Sequence, residues 1–311
     1  MKTTRQTANA IEIRNLSKSF HSMYAVDHLN MTVPIGAIYG FIGENGSGKS
    51  TTEKLICGHL VPDGGKIRLF GRDYTNAGVR MRVGALIENT GCFPNSSAWD
   101  NLMMQAINLG LERPAQEIGR VLEIVRMQEA ARVKFKSCSL GMKQRIGIAM
   151  ALLGDPALLI LDEPINGLDP TGIKEIRDLL LTLNGEKGIT ILLSSHILGE
   201  LAKIATCYGI INQGVLVDEF SKDELQTRCR RCLRIQVDDV KKAAQVLESI
   251  LKTDQFDVLP DQTIRLFGYL EDSGMVNTTL VQNGVTVRTI APAGQDLEGY
   301  FMQRMGGYGN A

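Results

Sequence analysis

A glycine-rich stretch near the N-terminus has the residue types and spacing of a phosphate-binding loop. GENGSGKS, residues 43–50, fits the pattern G-x-x-x-x-G-K-[ST] and lies between a predicted strand and a predicted helix. Glycines let backbone N–H groups converge on phosphate oxygens, and the N-terminus of the helix adds partial positive charge. Lys49 would then reach the β- and γ-phosphates, and the Ser50 hydroxyl would bind Mg²⁺. The stretch therefore predicts a site for a nucleoside triphosphate.

A second segment, LLILDEP at 158–164, ends an apolar run in two adjacent carboxylates, Asp162 and Glu163. At the C-terminal edge of a parallel sheet, such residues lie beside the crevice in which ligands bind. We expect Asp162 to hold the Mg²⁺ shell. We expect Glu163 to act as general base on a water in line with the γ-phosphate. A solvated strand end is the structural alternative, and the phosphate loop elsewhere in the chain argues against it.

Two further segments contain polar residues beside predicted strands or helices. His196 follows the apolar strand in ILLSSHIL, residues 191–198. It could donate to the γ-phosphate and orient the attacking water, although a histidine in such a place is often structural. NGLDP, residues 166–170, is a turn by its Asn-Gly and Asp-Pro chemistry, with Pro170 near the first position of a helix. By itself that turn is structural.

The elements that must position these residues run from Ile11 to about Phe220, where apolar runs alternate with helical patterns. Continuous Ile, Leu and Val runs that alternate with helices indicate a parallel sheet covered on both faces. The predicted strands lie at 36–43, 66–71, 82–88, 157–162, 189–195 and 207–214. The predicted helices lie at 49–60, 99–110, 114–130, 141–154 and 171–184. The helical interruption at about 90–156 indicates a subdomain inserted into the sheet.

The pattern changes at about Ser221, so we predict one domain over 1–220 and a small accessory α+β domain over 221–311. Its segments lie at 232–239, 241–251, 263–268, 275–284 and 285–290, with a last helix at 295–305. Cys229 and Cys232 form the pattern RCRRC, but a zinc site needs about four ligands and no histidine or further cysteine lies nearby. We interpret them as reduced thiols.

Composition and charge exclude several classes of protein. The chain has 311 residues, 44% of them hydrophobic, with 34 Lys+Arg balanced by 34 Asp+Glu, so no basic field exists to gather nucleic acid. No apolar stretch approaches the roughly 20 residues that span a bilayer. The Thr-rich N-terminus lacks the apolar core of a secretory signal, and six scattered cysteines suggest a reducing cytosol.

In order and spacing these motifs resemble those of the ATP-binding subunit of an ABC transporter, over roughly residues 11 to 220. The resemblance implies a P-loop NTPase core and ATP with Mg²⁺ as ligands. Phe20 matches the aromatic position that stacks on adenine, where the family more often has Tyr; an ordinary core aromatic is the alternative. Asp162, Glu163 and His196 match Walker B and the H-loop, and Asp169 matches the D-loop. The Walker A positions are Gly43, Glu44, Asn45, Gly46, Ser47, Gly48, Lys49, Ser50 and Thr51.

The segment CSLGMKQR, residues 138–145, falls where the family has its LSGGQ signature. Ser139 and Gly141 match that signature, whereas Cys138, Leu140 and Met142 depart from it. A serine at a helix N-terminus can still meet an anion. In the family that anion is the γ-phosphate of ATP held by the opposite subunit. The resemblance therefore implies a dimer with two sandwiched ATP molecules, formed with an identical copy or a paralogue.

The Q-loop segment VGALIENTGCFPN, residues 83–95, has Glu88 where most family members have Gln. A carboxylate suits Mg²⁺, which prefers charged oxygen ligands. GALIE together with SLGMKQR resembles the branch that exports bacitracin or protects against lantibiotics, in which the Q-loop becomes an E-loop. Glu44 and Glu53 are further departures, because relatives often have Pro at the first position and usually an apolar residue at the second.

This resemblance implies an ATPase that drives efflux of an antimicrobial peptide or antibiotic through a separate permease, peripheral on the cytoplasmic face of the membrane. The surface of Phe93, Pro94 and Trp99 is where we expect the permease to dock. A non-transport ABC ATPase is one alternative. Ribosome-acting members carry two ATPase copies and chromosome-organising members a long coiled coil, whereas this chain has one GKS and no heptads. A small-molecule kinase would have no use for the signature, D-loop or His196.

Overall fold

The computed structural model describes residues 8–229, 231–294, 299–301 and 304. They form two compact units, the first extending along the chain to Lys222 and the second beginning at Asp223. The first unit contains the segments with predicted chemistry. The domain division predicted at 220 lies beside this position.

A six-stranded sheet forms the centre of the first unit, in the order β10-β9-β3-β8-β7-β6. Neighbouring strands run parallel except for β10, which pairs antiparallel with β9. Every residue of β3 and β8 is buried, as expected for strands covered on both faces. The predicted parallel sheet is confirmed. Its strands are β3 (Ile38–Ile42), β6 (Val83–Leu86), β7 (Leu158–Asp162), β8 (Thr190–Ser195), β9 (Cys207–Asn212) and β10 (Val215–Ser221).

A second sheet in this unit is antiparallel, in the order β2-β1-β4-β5. Its strands are β1 (Asn9–Phe20), β2 (Met23–Pro34), β4 (Gly64–Leu69) and β5 (Arg72–Asp73). The prediction that 66–71 joins the parallel sheet is therefore wrong. Ile67 and Leu69 face the core while Lys66 and Arg68 face solvent. That alternation marks a strand with one solvated face.

Within its described residues, the same unit contains seven α-helices. They are α1 (Lys49–Ile56), α2 (Ala77–Arg80), α3 (Ala98–Asn108), α4 (Pro114–Ile124), α5 (Leu140–Leu152), α6 (Pro170–Lys187) and α7 (Leu198–Ile204). Helices α3, α4 and α5 pack on one another. Along the chain they lie between β6 and β7, in the predicted helical region. Ser97 and Asp100 form a capping box that begins α3. Helix α4 ends at Ile124, short of the predicted 130, and Arg126 adopts a left-handed backbone with φ of 56°.

Helix α8 (Lys222–Cys229) leads into the second unit, whose elements follow in βαββαβ order. These are β11 (Cys232–Val237), α9 (Val240–Ser249), β12 (Phe256–Val258), β13 (Ile264–Leu266), α10 (Ser273–Gln282) and β14 (Val287–Ala293). The antiparallel sheet has the order β12-β13-β11-β14 and shares a core with both helices. The predicted α+β character is confirmed. The helix predicted over 295–305 falls mostly outside the described residues.

In the part of the chain that the structure describes, every helix is too short or too polar to cross a membrane. The six cysteines are not joined in disulfides. Within that same part, His, Cys, Asp and Glu side chains form no group of three or more that could hold a metal ion.

Candidate nucleotide site

The phosphate loop connects the end of β3 to the start of α1. Gly48 has a φ of 110°, and a Cβ there would lie 2.4 Å from the carbonyl oxygen of Ala25, so the position requires glycine. The N–H of Gly214 donates to the Ser47 carbonyl at 2.8 Å, which fixes the loop against the turn after β9. Backbone atoms of Ala25 and of Gly214 thus confine the loop from two sides.

The ammonium group of Lys49 lies inside the curve of this loop. Its Nζ donates to the carbonyl oxygens of Gly43 at 2.7 Å and Glu44 at 3.0 Å, and the side chain is buried. A buried cation beside loop N–H groups and a helix N-terminus is the arrangement that attracts phosphate oxygens.

The carboxylate of Asp162, at the end of β7, is held by two hydroxyls. Ser50 Oγ donates to Oδ2 at 2.7 Å, and Ser194 Oγ donates to Oδ1 at 2.7 Å. These contacts connect α1, β7 and β8 at the C-terminal edge of the parallel sheet. Sequence reasoning missed Ser194; its only signal is the pair of serines, Ser194 and Ser195, that ends the apolar run of β8 just before His196.

Glu163 and His196 are in direct contact. His196 Nδ1 lies 2.8 Å from Oε2 and 2.9 Å from Oε1 of Glu163. Glu163 adopts a left-handed backbone, φ 49°, that is sparsely populated for a residue with a side chain. Its N–H donates to both the carbonyl and the hydroxyl oxygen of Ser194, each at 3.2 Å. The strained turn directs the carboxylate away from the line of β7 toward His196.

The loop and the two acidic residues together line an open cleft of about 200 Å³. Of the predicted ATP-binding residues, Gly43 and Ser47 lie buried beneath it and Glu44 is exposed. The lining residues are Ala25, Asn45, Gly46, Gly48, Lys49, Ser50, Thr51, Asp162 and Glu163. Two motifs that lie on either side of the helical subdomain in the sequence thus meet in one cleft.

Three oxygen-bearing residues were predicted to bind Mg²⁺, and two of them are adjacent. The Ser50 hydroxyl and the Asp162 carboxylate present hard oxygen ligands 2.7 Å apart, which suit this ion with water and phosphate oxygens as its other ligands. Glu88 is not among the described residues that line the cleft. Its carboxylate accepts from Lys54 Nζ at 2.6 Å, an ion pair between α1 and the loop after β6.

Phe20 lies at the end of β1 and does not contribute to the lining of the cleft. Its ring is 46% exposed, with Lys18 Nζ 5.7 Å from the ring centroid. Lys18 in turn donates to Asp63 at 2.7 Å. Hydrogen bonds from Lys18 and then Ser19 lower the pKa of Asp63 to about 2, so this support is ionised at neutral pH. The Phe20 ring therefore presents an exposed aromatic face, at a strand end that the contact between Lys18 and Asp63 holds in place.

A second cleft, of about 310 Å³, is formed by the signature and D-loop segments. Ser139 caps α5 by accepting from the N–H of Met142 at 3.3 Å. Asp169 caps α6 by accepting from the N–H of Gly172 at 3.1 Å. Gly141 lies between them in the lining, with space for a Cβ whose nearest neighbour would be Leu168 at 3.8 Å. The two clefts share no lining residue.

Comparison with known proteins gives consistent matches. A family model described as ABC transporter matches residues 26–166. The bacitracin transport ATP-binding protein BcrA of Bacillus licheniformis is 41% identical over 96% of this chain and 97% of BcrA. The lantibiotic transport ATP-binding protein SrtF of Streptococcus pyogenes is 39% identical over 68% of this chain and 91% of SrtF. The solved ATP-binding cassette MJ0796, a dimer in a post-hydrolysis state with ADP and Pi, has a TM-score of 0.63, at 22% identity over 68% of this chain and 98% of that one.

The similarity to BcrA extends through both units, because it covers nearly the whole of each chain. The solved cassette, at 22% identity, shows a shared fold over 68% of the chain. With a phosphate loop, paired acidic residues and a histidine at one sheet edge, the chain belongs to the family of ABC transporter ATP-binding proteins and is an ATPase that hydrolyses ATP.

Proposed function

We propose that this chain is the ATP-hydrolysing subunit of an exporter that removes an antimicrobial peptide or antibiotic of the bacitracin or lantibiotic type through a separate permease. The observation that carries the cargo class is the 41% identity with BcrA over 96% of the chain. The match with SrtF accounts for only 68% of the chain, which favours the bacitracin type. The protein then works as a peripheral subunit on the cytoplasmic face of the membrane.

In this role the phosphate loop and Lys49 bind the β- and γ-phosphates. Ser50 and Asp162 hold Mg²⁺, which when bound neutralises charge on the phosphate oxygens. Lys49 exchanges its contacts with the Gly43 and Glu44 carbonyls for phosphate oxygens. Phe20, an open ring at the end of β1, stacks on adenine.

Glu163 takes the proton from the attacking water at a carboxylate oxygen. His196, whose Nδ1 lies within 2.9 Å of both oxygens, orients that carboxylate. A neutral imidazole with its proton on Nδ1 donates to Glu163 and leaves Nε2 as an acceptor; the protonated ring donates from both nitrogens. The protonated ring would also offer a donor to the γ-phosphate.

The signature cleft completes the site of a second copy or a paralogue. Ser139 and the backbone at Gly141 lie at the N-terminus of α5, where a γ-phosphate from the partner's ATP meets favourable dipoles. The solved MJ0796 cassette, which shares the fold, is described as a dimer with ADP and Pi.

A permease segment docks, in our proposal, beside the Glu88 loop. A groove of about 730 Å³ adjoins that loop, with Met81, Leu86, Asn89, Gln105, Leu109 and Met150 among its lining residues. Phe93, at 60% exposure, fits the predicted contact surface. Trp99 is half-buried with the Arg132 guanidinium 5.1 Å from its ring, so it serves this surface less directly than Phe93.

Bacitracin susceptibility tests the proposal. The chain is expressed in a sensitive bacterial host together with any multi-span membrane protein that the genes neighbouring its own encode, and the minimum inhibitory concentrations of bacitracin and a lantibiotic are measured. We expect resistance to bacitracin that Lys49→Ala abolishes at equal protein abundance. Unchanged susceptibility to both compounds, with both proteins present in the membrane fraction, would reject this cargo class.

A further inference from the structure

Helix α5 packs on strand β6 at a place where each of the two elements has a buried glycine. A Cβ at Gly84 of β6 would lie 1.8 Å from the carbonyl oxygen of Ala151 in α5, whereas ordinary van der Waals contacts of a Cβ begin at 3.4 Å. Gly84 therefore lets the backbone of the helix rest directly on the strand.

Gly147 is the glycine on the helix side of this contact. A Cβ there would lie 2.8 Å from Cγ2 of Thr90 and 3.0 Å from both terminal methyl carbons of Leu86. Leu86 ends β6, and Thr90 lies two residues beyond Glu88 in the loop that follows. A leucine can turn its terminal methyls aside, but a β-branched threonine is stiff at χ1. One added methyl group at position 147 would therefore push α5 and the Glu88 loop apart.

A second contact joins the same loop to the same side of α5. Cys92 Sγ lies 3.2 Å from Sδ of Met150, which follows Gly147 by three residues and so shares its helix face. The loop thus touches α5 at two successive turns.

The other end of α5 begins at the signature. Ser139 caps the helix eight residues before Gly147, which corresponds to about 12 Å along the helix axis. Packed helices shift as whole elements, so a displacement at Gly147 moves Ser139 as well.

We infer that Gly147 is a positioning residue for ATP hydrolysis: without a side chain it lets Thr90 lie against α5, and this contact sets where Ser139 meets the nucleotide of the partner subunit. The inference rests on the proposed role of the signature cleft, in which Ser139 acts on the opposite ATP. It adds to that proposal the contact that fixes the helix at its required place.

Steady-state ATP hydrolysis by the full chain tests this route. A misplacement of about 1 Å can cost up to 10²-fold in rate, so we expect Gly147→Ala to lower kcat by at least about 10-fold. KM for ATP should remain nearly unchanged, because the phosphate loop lies between other elements, β3 and α1. The matched control is Gly185→Ala in α6, an exposed helical position where no described atom lies within 4 Å of an added Cβ. It should leave kcat unchanged.

Thr90→Ser supplies the rescue, because it removes the methyl group that the new Cβ would meet and keeps the hydroxyl. The double variant Gly147→Ala/Thr90→Ser should recover most of the parental kcat. Tm of Gly147→Ala should stay near that of the parent, since the helix preference of alanine offsets the overlap. Parental kcat in Gly147→Ala, or a loss of kcat that Thr90→Ser does not reverse, would overturn the inference.

If Gly147→Ala does not fold, Thr90→Leu brings added volume to the same contact from the loop side. The same fall in kcat at constant KM is then expected, and parental kcat in Thr90→Leu would overturn the inference.

Ser139→Arg is measured alongside these variants to separate two kinds of failure. Parental turnover in Ser139→Arg would remove the proposed role of the signature. A nearly inactive Ser139→Arg together with a fully active Gly147→Ala would reject only the positioning role of Gly147.

Discussion

Glu163 combines a strained backbone with a carboxylate that His196 orients, and this pairing gives the residue its proposed role as general base. In Glu163→Gln the side chain keeps its size and loses the ability to accept a proton. We expect turnover to fall by about 10² to 10⁴, the usual contribution of such a base. ATP binding should persist, because Lys49 and the loop are unchanged.

Phosphate release and a fluorescent-nucleotide titration measure these two properties. The control is Glu186→Gln, which removes an exposed carboxylate near the end of α6 and should alter neither. Turnover above half the parental rate in Glu163→Gln would contradict the assignment.

Glu53, on α1, is fully buried, and this burial raises the pKa of its carboxyl group well above the ordinary value, which predicts how stability depends on pH. The acid binds its proton more tightly in the folded chain than in the unfolded chain, so the free energy of unfolding falls as pH rises above the ordinary value of 4.5. The Glu53→Gln variant lacks this contribution. Urea unfolding at pH 5 and pH 8 should therefore show a larger decrease for the parent than for Glu53→Gln. If the free energy of unfolding changed equally with pH in the two proteins, this prediction would be refuted.

At the residue scale, motifs predict which side chains meet but not all of their contacts. Lys49, Ser50, Asp162 and Glu163 line one cleft, and each belongs to a motif legible in the sequence. Ser194 belongs to none, because nothing in the sequence distinguishes it from Ser195, the serine that follows it at the end of β8. The complete burial of Glu53 follows from the depth of α1 beneath the loop, which only tertiary packing determines.

The N-terminus of α5 gives a prediction at the scale of one element. Gly141 has room for a methyl group within its own chain, with the nearest atom 3.8 Å from the added Cβ. Any requirement for glycine must therefore come from a group that approaches from outside, as the partner's nucleotide does in our proposal. We expect Gly141→Ala to fold with a Tm equal to or above that of the parent and to lose most of its ATP hydrolysis.

Gly119→Ala in α4 is the matched control, because a Cβ there would also meet no neighbour. It should raise the free energy of unfolding by about 1 kcal/mol, as replacing a helical glycine does, and leave hydrolysis unchanged. Thermal unfolding and phosphate release measure both variants. Full activity in Gly141→Ala would argue against a close approach at the signature.

The ion pair between Lys54 and Glu88 connects α1 to the loop after β6. Lys54 follows the phosphate loop on α1, and Glu88 adjoins the proposed permease groove, so the pair links the two places. We expect Glu88→Ala to weaken resistance conferred with the permease while leaving ATP affinity in the isolated chain nearly unchanged. Minimum inhibitory concentration and nucleotide titration provide the measurements. Equal resistance in parent and variant cells would count against this coupling.

At the element scale, periodicity predicts most of the first unit. Continuous apolar runs identify β3, β7 and β8, because strands buried on both faces have few polar positions. The antiparallel sheet is missed, because its assembly depends on pairing β1 with β4 across about 50 residues of chain. The end of α4 is missed for a local reason: the helical pattern of side chains continues past the left-handed backbone at Arg126.

At the scale of the whole molecule, the groups that we propose to surround one ATP molecule lie in two separate clefts. One contains the phosphate loop with Asp162 and Glu163, the other the signature and the D-loop, and they have no lining residue in common. Sequence motifs predict both halves. They do not give the identity of the partner, because an identical copy and a paralogue would present the same signature.

A variant that binds ATP but hydrolyses it very slowly should therefore accumulate as a dimer. We expect Glu163→Gln with ATP and Mg²⁺ to elute as a dimer in size-exclusion chromatography with light scattering, because the bound γ-phosphate bridges one loop and the opposite α5. The same variant with ADP should elute as a monomer, since ADP lacks the bridging group. Adding Ser139→Arg should prevent the ATP-dependent dimer by placing a bulky side chain at the start of α5. A monomer at every ATP concentration would mean that this chain does not pair with itself, and a dimer that survives Ser139→Arg would mean that the signature is not at the interface.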